Sequence, residues 1–130
     1  MSSKIEVTIE KIDIKIDERG SVFEPLTGKE ISGQRNIHVV LTEPGYVRGN
    51  HFHQKGTEIL AVKGPALIRV RTQRGIEDID VLDRDVIKII IPPGISHAIK
   101  NTGNQVNLLV AFNSLEHDQD NPDVIEDILI

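Results

Sequence analysis

The chain has 130 residues, enough for one compact domain with a substantial apolar core. Its formal net charge is -5 and it contains no cysteine, which excludes disulfides, thiolate nucleophiles and cysteine-type zinc sites. An acidic chain without a clustered basic stripe binds nucleic acid poorly, so no nucleic-acid partner is expected. The N-terminus lacks the apolar segment of a secretion signal, and no apolar run approaches the roughly 18 residues of a membrane span. We therefore expect a cytoplasmic protein without a membrane partner.

Short strands with period-two alternation follow one another along the chain. Residues 5–17 carry isoleucine or valine at alternate positions, and the parity changes at residues 10–11, which predicts a bulge or tight turn between two strands. Turn-forming segments such as TGKEISGQ, KGP and PPG separate the strands that follow. These further strands are predicted at Ser21–Leu26, Asn36–Thr42, Val47–His53, Glu58–Val62, Ala66–Thr72, Ile76–Leu82, Val86–Ile91, Ile95–Lys100 and Val106–Phe112. The last residues, DVIEDILI, fit a short helix or a strand equally well.

Many short strands without intervening helices predict an all-β fold, a sandwich or a small barrel. The sequence contains no internal repeat, linker or low-complexity segment, so residues 1–130 are expected to form a single domain. A fold of this class does not by itself indicate a function.

The segment RGNHFHQKGTE, residues 48–58, carries the first chemical signal. Side chains two apart on a strand point to the same face, so His51 and His53 project together. The sequence QKG predicts a return turn, after which Glu58 begins the next strand and can lie opposite the two histidines. Two imidazoles and one carboxylate are thereby expected to converge.

His97 is a fourth candidate, placed on a strand just after the rigid turn Pro92-Pro93-Gly94. A lone HxH on a strand is more often a solvated or hydrogen-bonded pair, but the combination with Glu58 and His97 favours a metal-binding or catalytic role. Three histidines and one carboxylate suit a divalent ion and leave a coordination position open, as in catalytic sites. Zinc is the expected ion, with nickel, manganese or iron as alternatives.

The two segments together resemble the motifs of the cupin superfamily. Five residues separate Gly45 from the HxH, four separate His53 from Glu58, and five separate Glu58 from Gly64. The second motif, P-x-G-x-x-H-x-x-x-N, is matched by Pro92, Gly94, His97 and Asn101. The resemblance implies a double-stranded β-helix, that is, a jelly-roll barrel, with the site inside its mouth.

A narrower resemblance extends over most of the chain. The segments DERGSVFE, HVVLTEPGYVRGNHFH, IPPGISHAIKNTG and LLVAFNSLEHDQDNPD resemble the C-terminal cupin domain of capsular-polysaccharide reductase/epimerases that act on UDP-4-keto-6-deoxy-hexosamines. Two further relatives are similar: dTDP-4-dehydrorhamnose 3,5-epimerases and dTDP-6-deoxy-hexose 3,4-ketoisomerases. The resemblance implies an epimerase or isomerase that acts on a nucleotide-linked 4-keto sugar.

The relatives imply different roles for His51. Likeness to the rhamnose-type epimerases implies that His51 is the catalytic base, with no metal. Likeness to the ketoisomerases implies instead that His51 and His53 together carry out proton transfer. A histidine bound to a cation has no free lone pair, so a metal requires another base. Our first candidate is then His38, which shares one face of its strand with Asn36 and Val40. The acid tyrosine of the rhamnose-type enzymes is not matched, because Phe112 stands in that region and the only tyrosine is Tyr46.

Three further residues are candidate substrate contacts. Arg19 and Glu24 match the pattern D-x-R-G-x-x-x-E. The resemblance implies that this arginine approaches the nucleotide diphosphate. A surface ion pair is an equal alternative. Arg48 could orient an anion or hydrogen-bond carbonyl groups at the barrel mouth. His117, within EHDQD, is expected to be solvated.

Two other classes of function stay open at this point: a metal-dependent oxygenase, and a metal- or sugar-binding cupin without turnover. The expected partners are a nucleotide sugar and a second copy of the chain. A homodimer is predicted because a jelly roll of this size has exposed edge strands, and residues 1–16 could pair with a neighbour's sheet.

Overall fold

The computed structural model describes residues 6–130. Almost all regular structure in this range is β-strand, as the sequence predicts. The strands are β1 Thr8–Lys11, β2 Ile14–Asp17, β3 Gly20–Phe23, β4 Asn36–Thr42, β5 Val47–His53, β6 Glu58–Lys63, β7 Ala66–Thr72, β8 Gly75–Val81, β9 Val86–Ile91, β10 Ser96–Asn101, β11 Asn107–Asn113 and β12 Val124–Glu126. One short helix, α1 Gly28–Ile31, lies between β3 and β4.

Two five-stranded antiparallel sheets form the body of the fold. One has the strand order β1-β9-β6-β11-β4 and the other has the order β12-β5-β10-β7-β8. Strands adjacent in sequence fall repeatedly in different sheets, which is the connectivity of a jelly roll. The expected all-β jelly-roll architecture is confirmed.

The core lies between the two sheets and consists of aliphatic side chains. Both sheets contribute alternate residues to it, because period-two alternation places one set of side chains on each inner face. The largest fully buried apolar side chains are Leu60, Ile68, Ile89, Ile91, Val62, Val70 and Val86. A core of this kind holds the facing strands in register, so that residues at one end of the barrel keep fixed separations.

The N-terminal segment pairs within its own chain. β1 is antiparallel to β9, whereas β2 pairs only with β3 in a separate hairpin. The parity change at residues 10–11 therefore separates two strands that belong to different sheets. Ile5, which the alternation places on the first strand, lies outside the described residues.

The helix α1 occupies a segment that the sequence predicts as a turn. Its first turn is closed by a capping box, in which the Thr27 hydroxyl accepts from the Glu30 amide and the Glu30 carboxylate accepts from the Thr27 amide. Glu30 also binds the buried Lys88 ammonium of β9 at 2.8 Å. Lys88 lies 3.4 Å from Glu10 of β1 as well, so this one cation joins the helix and the N-terminal strand to the sheet. No helix in residues 6–130 has the length and apolar character needed to cross a membrane.

Candidate metal centre

The four residues singled out by the motifs come together between the two sheets. His51 and His53 lie on β5, and His97 lies opposite His51 on the neighbouring strand β10. Glu58 is the first residue of β6 in the other sheet. Each residue offers one nitrogen or oxygen atom to a group in which all such atoms lie within 4.8 Å of one another. We call these four residues the His/Glu cluster.

A glycine allows β5 to approach β10 closely at the cluster. Gly49 has φ +86°, and a Cβ built on it would lie 2.7 Å from the carbonyl oxygen of His97. The pairing of β5 with β10 shifts register between His97 and Ala98. A side chain at position 49 would therefore push apart the two strands that carry the three histidines.

Alanine substitutions at Gly49 and Gly45 measure the steric cost of a side chain at position 49. Gly45 has almost the same backbone angle, φ +82°, but no atom lies within 4 Å of a Cβ built there. We expect Gly49→Ala to lower the free energy of unfolding by about 1–3 kcal/mol more than Gly45→Ala, because only Gly49 adds a steric overlap to the backbone strain. Chemical denaturation of both variants measures the difference, and equal losses would contradict the close-approach explanation.

The hydrogen bonding of His97 fixes which of its nitrogens faces the cluster. Its Nδ1 lies 3.0 Å from the carbonyl oxygen of Ile95, an acceptor, so Nδ1 carries a proton and donates it. Its Nε2 lies 3.0 Å from Oε1 of Glu58. In a neutral His97 this Nε2 presents a lone pair to a carboxylate oxygen. Two acceptors at that distance repel unless a proton or a cation lies between them.

His53 faces the same carboxylate from the other side. Its Nε2 lies 3.0 Å from Oε2 of Glu58, but the angles do not make this contact a hydrogen bond, and both ring nitrogens of His53 are buried without a hydrogen-bond partner. A buried polar atom without a hydrogen-bond partner lowers the stability of the fold. Such atoms are typical of sites that bind an ion, a water molecule or a ligand. His53 thus brings an unsatisfied ring nitrogen, Nε2, to within 3.0 Å of the Glu58 carboxylate.

The electrostatics of the cluster favour a neutral His51 beside an ionised Glu58. Burial lowers the pKa of His51 to about 4, an effect that the charges of His97 and His53 reinforce. Burial alone raises the pKa of Glu58, but its contacts with His53 and His97 outweigh burial and hold this pKa well below its usual range. Burial lowers the pKa of His53, but Glu58 and Asp123 outweigh burial and raise it. His51 is therefore neutral at neutral pH, and Glu58 is an anion.

These residues fit a divalent metal ion. Zinc–nitrogen and zinc–oxygen bonds are about 2.0–2.2 Å long, so two ligand atoms of one ion lie at most about 4.4 Å apart. The separations in the cluster come close to that limit. Three imidazoles and one carboxylate are a donor set that suits zinc, and that nickel, manganese or iron also accept. The cluster could hold such an ion; its identity is not fixed by the donor set.

A cleft with a volume of about 1040 Å³ opens beside the cluster. Two members of the cluster, His53 and Glu58, form part of its wall, while His97 is buried behind them. Ligand sites typically have volumes of roughly 300–1,000 Å³, so the cleft is large enough for a small molecule of considerable size. His38, Glu116, His117, Asp118 and Asp123 also line the cleft.

The cleft also contains the residue predicted as a base. His38 is exposed on β4, and its ring stands edge-on to that of His117 with 6.1 Å between the ring centroids. His117 is exposed too. The sequence does not predict that His117 lies beside His38, because its polar sequence neighbours indicate only that it is exposed to solvent. Asp123, 65 positions after Glu58 in the chain, is not singled out by the motifs because the sequence does not reveal that it meets the β5–β6 turn.

The three predicted substrate contacts lie away from the cleft wall. Arg19 binds Asp17, with 2.6 Å between Nη2 and Oδ2, at the tip of the β2–β3 hairpin, and its side chain is exposed. Glu24 is exposed just after β3. Arg48 donates to the carbonyl oxygen of Leu41 at 2.9 Å and to the Thr42 hydroxyl at 3.2 Å. Arg48 thus uses two guanidinium nitrogens, Nε and Nη2, for hydrogen bonds within its own chain.

Solved structures share this fold along almost the whole chain. A 3,4-ketoisomerase from Helicobacter canadensis is 25% identical, with 95% of this chain and 92% of that chain covered and a TM-score of 0.72. The 3'-monoepimerase ChmJ from Streptomyces bikiniensis is 16% identical, with 94% and 70% covered and a TM-score of 0.75. The capsular polysaccharide assembling protein CapF from Staphylococcus aureus is 24% identical, with 91% of this chain covered and a TM-score of 0.67. This chain spans only 33% of CapF.

Comparison of sequences gives the family. No curated protein sequence matches the chain. The family model for the polysaccharide biosynthesis C-terminal domain matches residues 15–125, which include the His/Glu cluster and the cleft. The resemblance inferred from the motifs is thereby confirmed, and the chain belongs to the polysaccharide biosynthesis C-terminal domain family.

Proposed function

We propose that this protein is an epimerase or isomerase that acts on a nucleotide-linked 4-keto-6-deoxy sugar in polysaccharide biosynthesis. The observation that carries the proposal is the His/Glu cluster, which opens through His53 and Glu58 into a cleft that also holds an exposed histidine, His38. An epimerase removes a proton from the carbon next to a ketone and returns one to the opposite face of that carbon, whereas a ketoisomerase returns it to the former carbonyl carbon. Such a reaction needs a base and a group that stabilises charge on the carbonyl oxygen.

Different residues would bind the charge-stabilising ion and act as the base. His51, His53, Glu58 and His97 would hold a divalent ion, most favourably zinc. A bound ion of this kind supplies a Lewis acid that polarises a carbonyl oxygen. His38 is the base in this proposal, because it is outside the cluster and therefore keeps a lone pair for proton transfer. If the chain works without a metal, His51 takes the role of base.

The solved relatives support this class of reaction by what their names state. One is a 3,4-ketoisomerase, and ChmJ is a 3'-monoepimerase seen in complex with dTDP-quinovose. A nucleotide-linked sugar is therefore the substrate class that we assign to the cleft. Arg19, Glu24 and Arg48 stay our candidates for contacts with the nucleotide sugar, although none of them lines the cleft.

The test is to incubate the protein, loaded with zinc, with dTDP- and UDP-4-keto-6-deoxy-hexoses in D₂O. We expect nuclear magnetic resonance to show deuterium at the carbon next to the ketone, together with an epimer or the isomeric ketone. Tight zinc binding without deuterium incorporation from any of these sugars would overturn the proposal in favour of a binding protein. Oxygen consumption with an Fe(II)-loaded sample would instead identify an oxygenase.

We also propose that the protein is a homodimer. The β2–β3 hairpin pairs with neither barrel sheet, and its Ile16 and Val22 are 72% and 68% exposed. Light scattering at micromolar concentration is expected to give twice the monomer mass. Ile16→Lys is expected to weaken the dimer, whereas Ile76→Lys, at an exposed site on β8, serves as the control. A monomeric wild-type protein would contradict this proposal.

A further inference from the structure

His53 has a buried nitrogen that the cluster does not use. Its Nε2 faces Glu58, while its Nδ1 points to the other side of the ring and has no hydrogen-bond partner within the described residues. The charged atom that faces Nδ1 is Oδ2 of Asp123, 3.7 Å away. This separation is longer than a hydrogen bond by about 0.7 Å, a gap that a small rotation of the His53 ring would close.

Asp123 is itself held in place by the turn that joins the two ligand-bearing strands. Its Oδ1 accepts from the Lys55 amide at 3.0 Å, its Oδ2 accepts from the Gly56 amide at 2.9 Å, and its backbone carbonyl accepts from Gln54. A Cβ on Gly56 would lie 3.2 Å from Oδ2, so the turn has little room for a side chain there. One carboxylate thus fixes the whole turn between His53 and Glu58.

The pairing of β12 with β5 brings Asp123 to this place. Val124, the first residue of β12, is the register partner of His53, so the residue before it lies at the end of the HxH strand. The side chain of Asp123 is only 20% exposed. A carboxylate that accepts two backbone hydrogen bonds and is mostly buried has a fixed orientation, unlike the exposed acids in the same segment.

We propose that Asp123 is a positioning residue for the metal centre, acting through His53. By accepting a hydrogen bond from Nδ1–H, it selects the tautomer in which Nε2 keeps its lone pair directed at the cluster. It also sets the angle of the imidazole ring and the separation of His53 from Glu58. Carboxylate groups commonly orient metal-binding histidines in this way. The proposal rests on the metal-binding part of the proposed function.

The test compares Asp123→Asn with Asp118→Asn. The first substitution keeps one oxygen acceptor for the turn but replaces the other oxygen with an amide donor, which cannot accept the Nδ1 proton. Asp118 also lines the cleft, but its carboxylate accepts from Asp120 and Asn121 within its own loop. Competition with a chromogenic chelator measures zinc affinity. Nitrogen-15 chemical shifts of the histidine rings in the metal-free protein report the tautomer of His53.

We expect Asp123→Asn to weaken zinc binding by about 10–100-fold and to move the His53 proton from Nδ1 to Nε2, with Asp118→Asn unchanged in both respects. Asp123→Glu retains the charge and should restore the tautomer if Asp123→Asn proves unstable. Weaker zinc binding with the wild-type tautomer would mean that Asp123 only anchors the turn, and would overturn the proposal. Unchanged affinity would overturn it as well.

The same measurements distinguish failure of the metal centre from failure of the role assigned to Asp123. A wild-type protein that binds no zinc would contradict the metal centre. The tautomer of His53 in the metal-free samples would still decide whether Asp123 orients the ring.

Discussion

His97→Ala is expected to lose its metal ion and, with it, its catalytic activity. His97 is almost fully buried, and its ring is fixed by the carbonyl oxygen of Ile95 on one side and by Glu58 on the other. Residues that only orient a ligand already contribute about 10–100-fold to metal affinity, so removal of a ligand should lower affinity by at least about 100-fold. Elemental analysis and chelator competition on the same purified sample measure the loss.

Two further variants control for the cavity that His97→Ala leaves in the core. Glu58→Gln keeps the volume of the side chain but removes the anion, and it should lose metal affinity as His97→Ala does. Glu116→Gln changes an exposed carboxylate on the wall of the same cleft and should bind metal normally. If His97→Ala and Glu58→Gln both retain one ion per chain while remaining folded, these two residues are not ligands.

His38→Ala is expected to keep its metal and its fold and to lose proton exchange. A positioned general base contributes about 10²–10⁴-fold to the rate, so exchange of substrate protons with D₂O should slow by that factor. Because His38 is exposed, the substitution should change the free energy of unfolding by no more than about 0.5 kcal/mol. Exchange, metal content and thermal unfolding are measured on one sample.

His117→Ala is the matched control, since it removes the neighbouring imidazole from the same cleft. We expect it to exchange protons much faster than His38→Ala. A different pair of results would identify His51, rather than His38, as the base. If His38→Ala exchanges at the wild-type rate and His51→Ala is inactive with full metal content, then His51 is the base.

The alternation of apolar residues predicts the strands well because one face of each strand is buried. Four strands, including β4 and β5, have the predicted limits, and the others differ from them by a few residues at the ends. The helix α1 escapes prediction because four residues show no helical periodicity. The pattern Thr27-x-x-Glu30 is nevertheless a capping box, and it is the local signal that could have predicted a helix start.

The motifs predict which residues form the cluster, but they do not predict its surroundings. The positions of His51, His53 and Glu58 follow from local geometry, because a strand, a turn and a strand bring them together. The positions of His117 and Asp123 depend on how the C-terminal segment crosses the cleft and pairs with β5. That pairing joins residues about 70 positions apart, and strand periodicity carries no information about it.

We propose that the His/Glu cluster supports proton transfer when it holds a metal ion. The most direct measurement is the rate of deuterium incorporation into a nucleotide-linked 4-keto-6-deoxy sugar by chelator-treated protein as Zn²⁺ is added back. We expect little incorporation without metal and a rate that rises in proportion to bound zinc, reaching its plateau at one ion per chain. Full incorporation by protein shown by elemental analysis to contain no metal would contradict it and would assign the chemistry to the histidines alone.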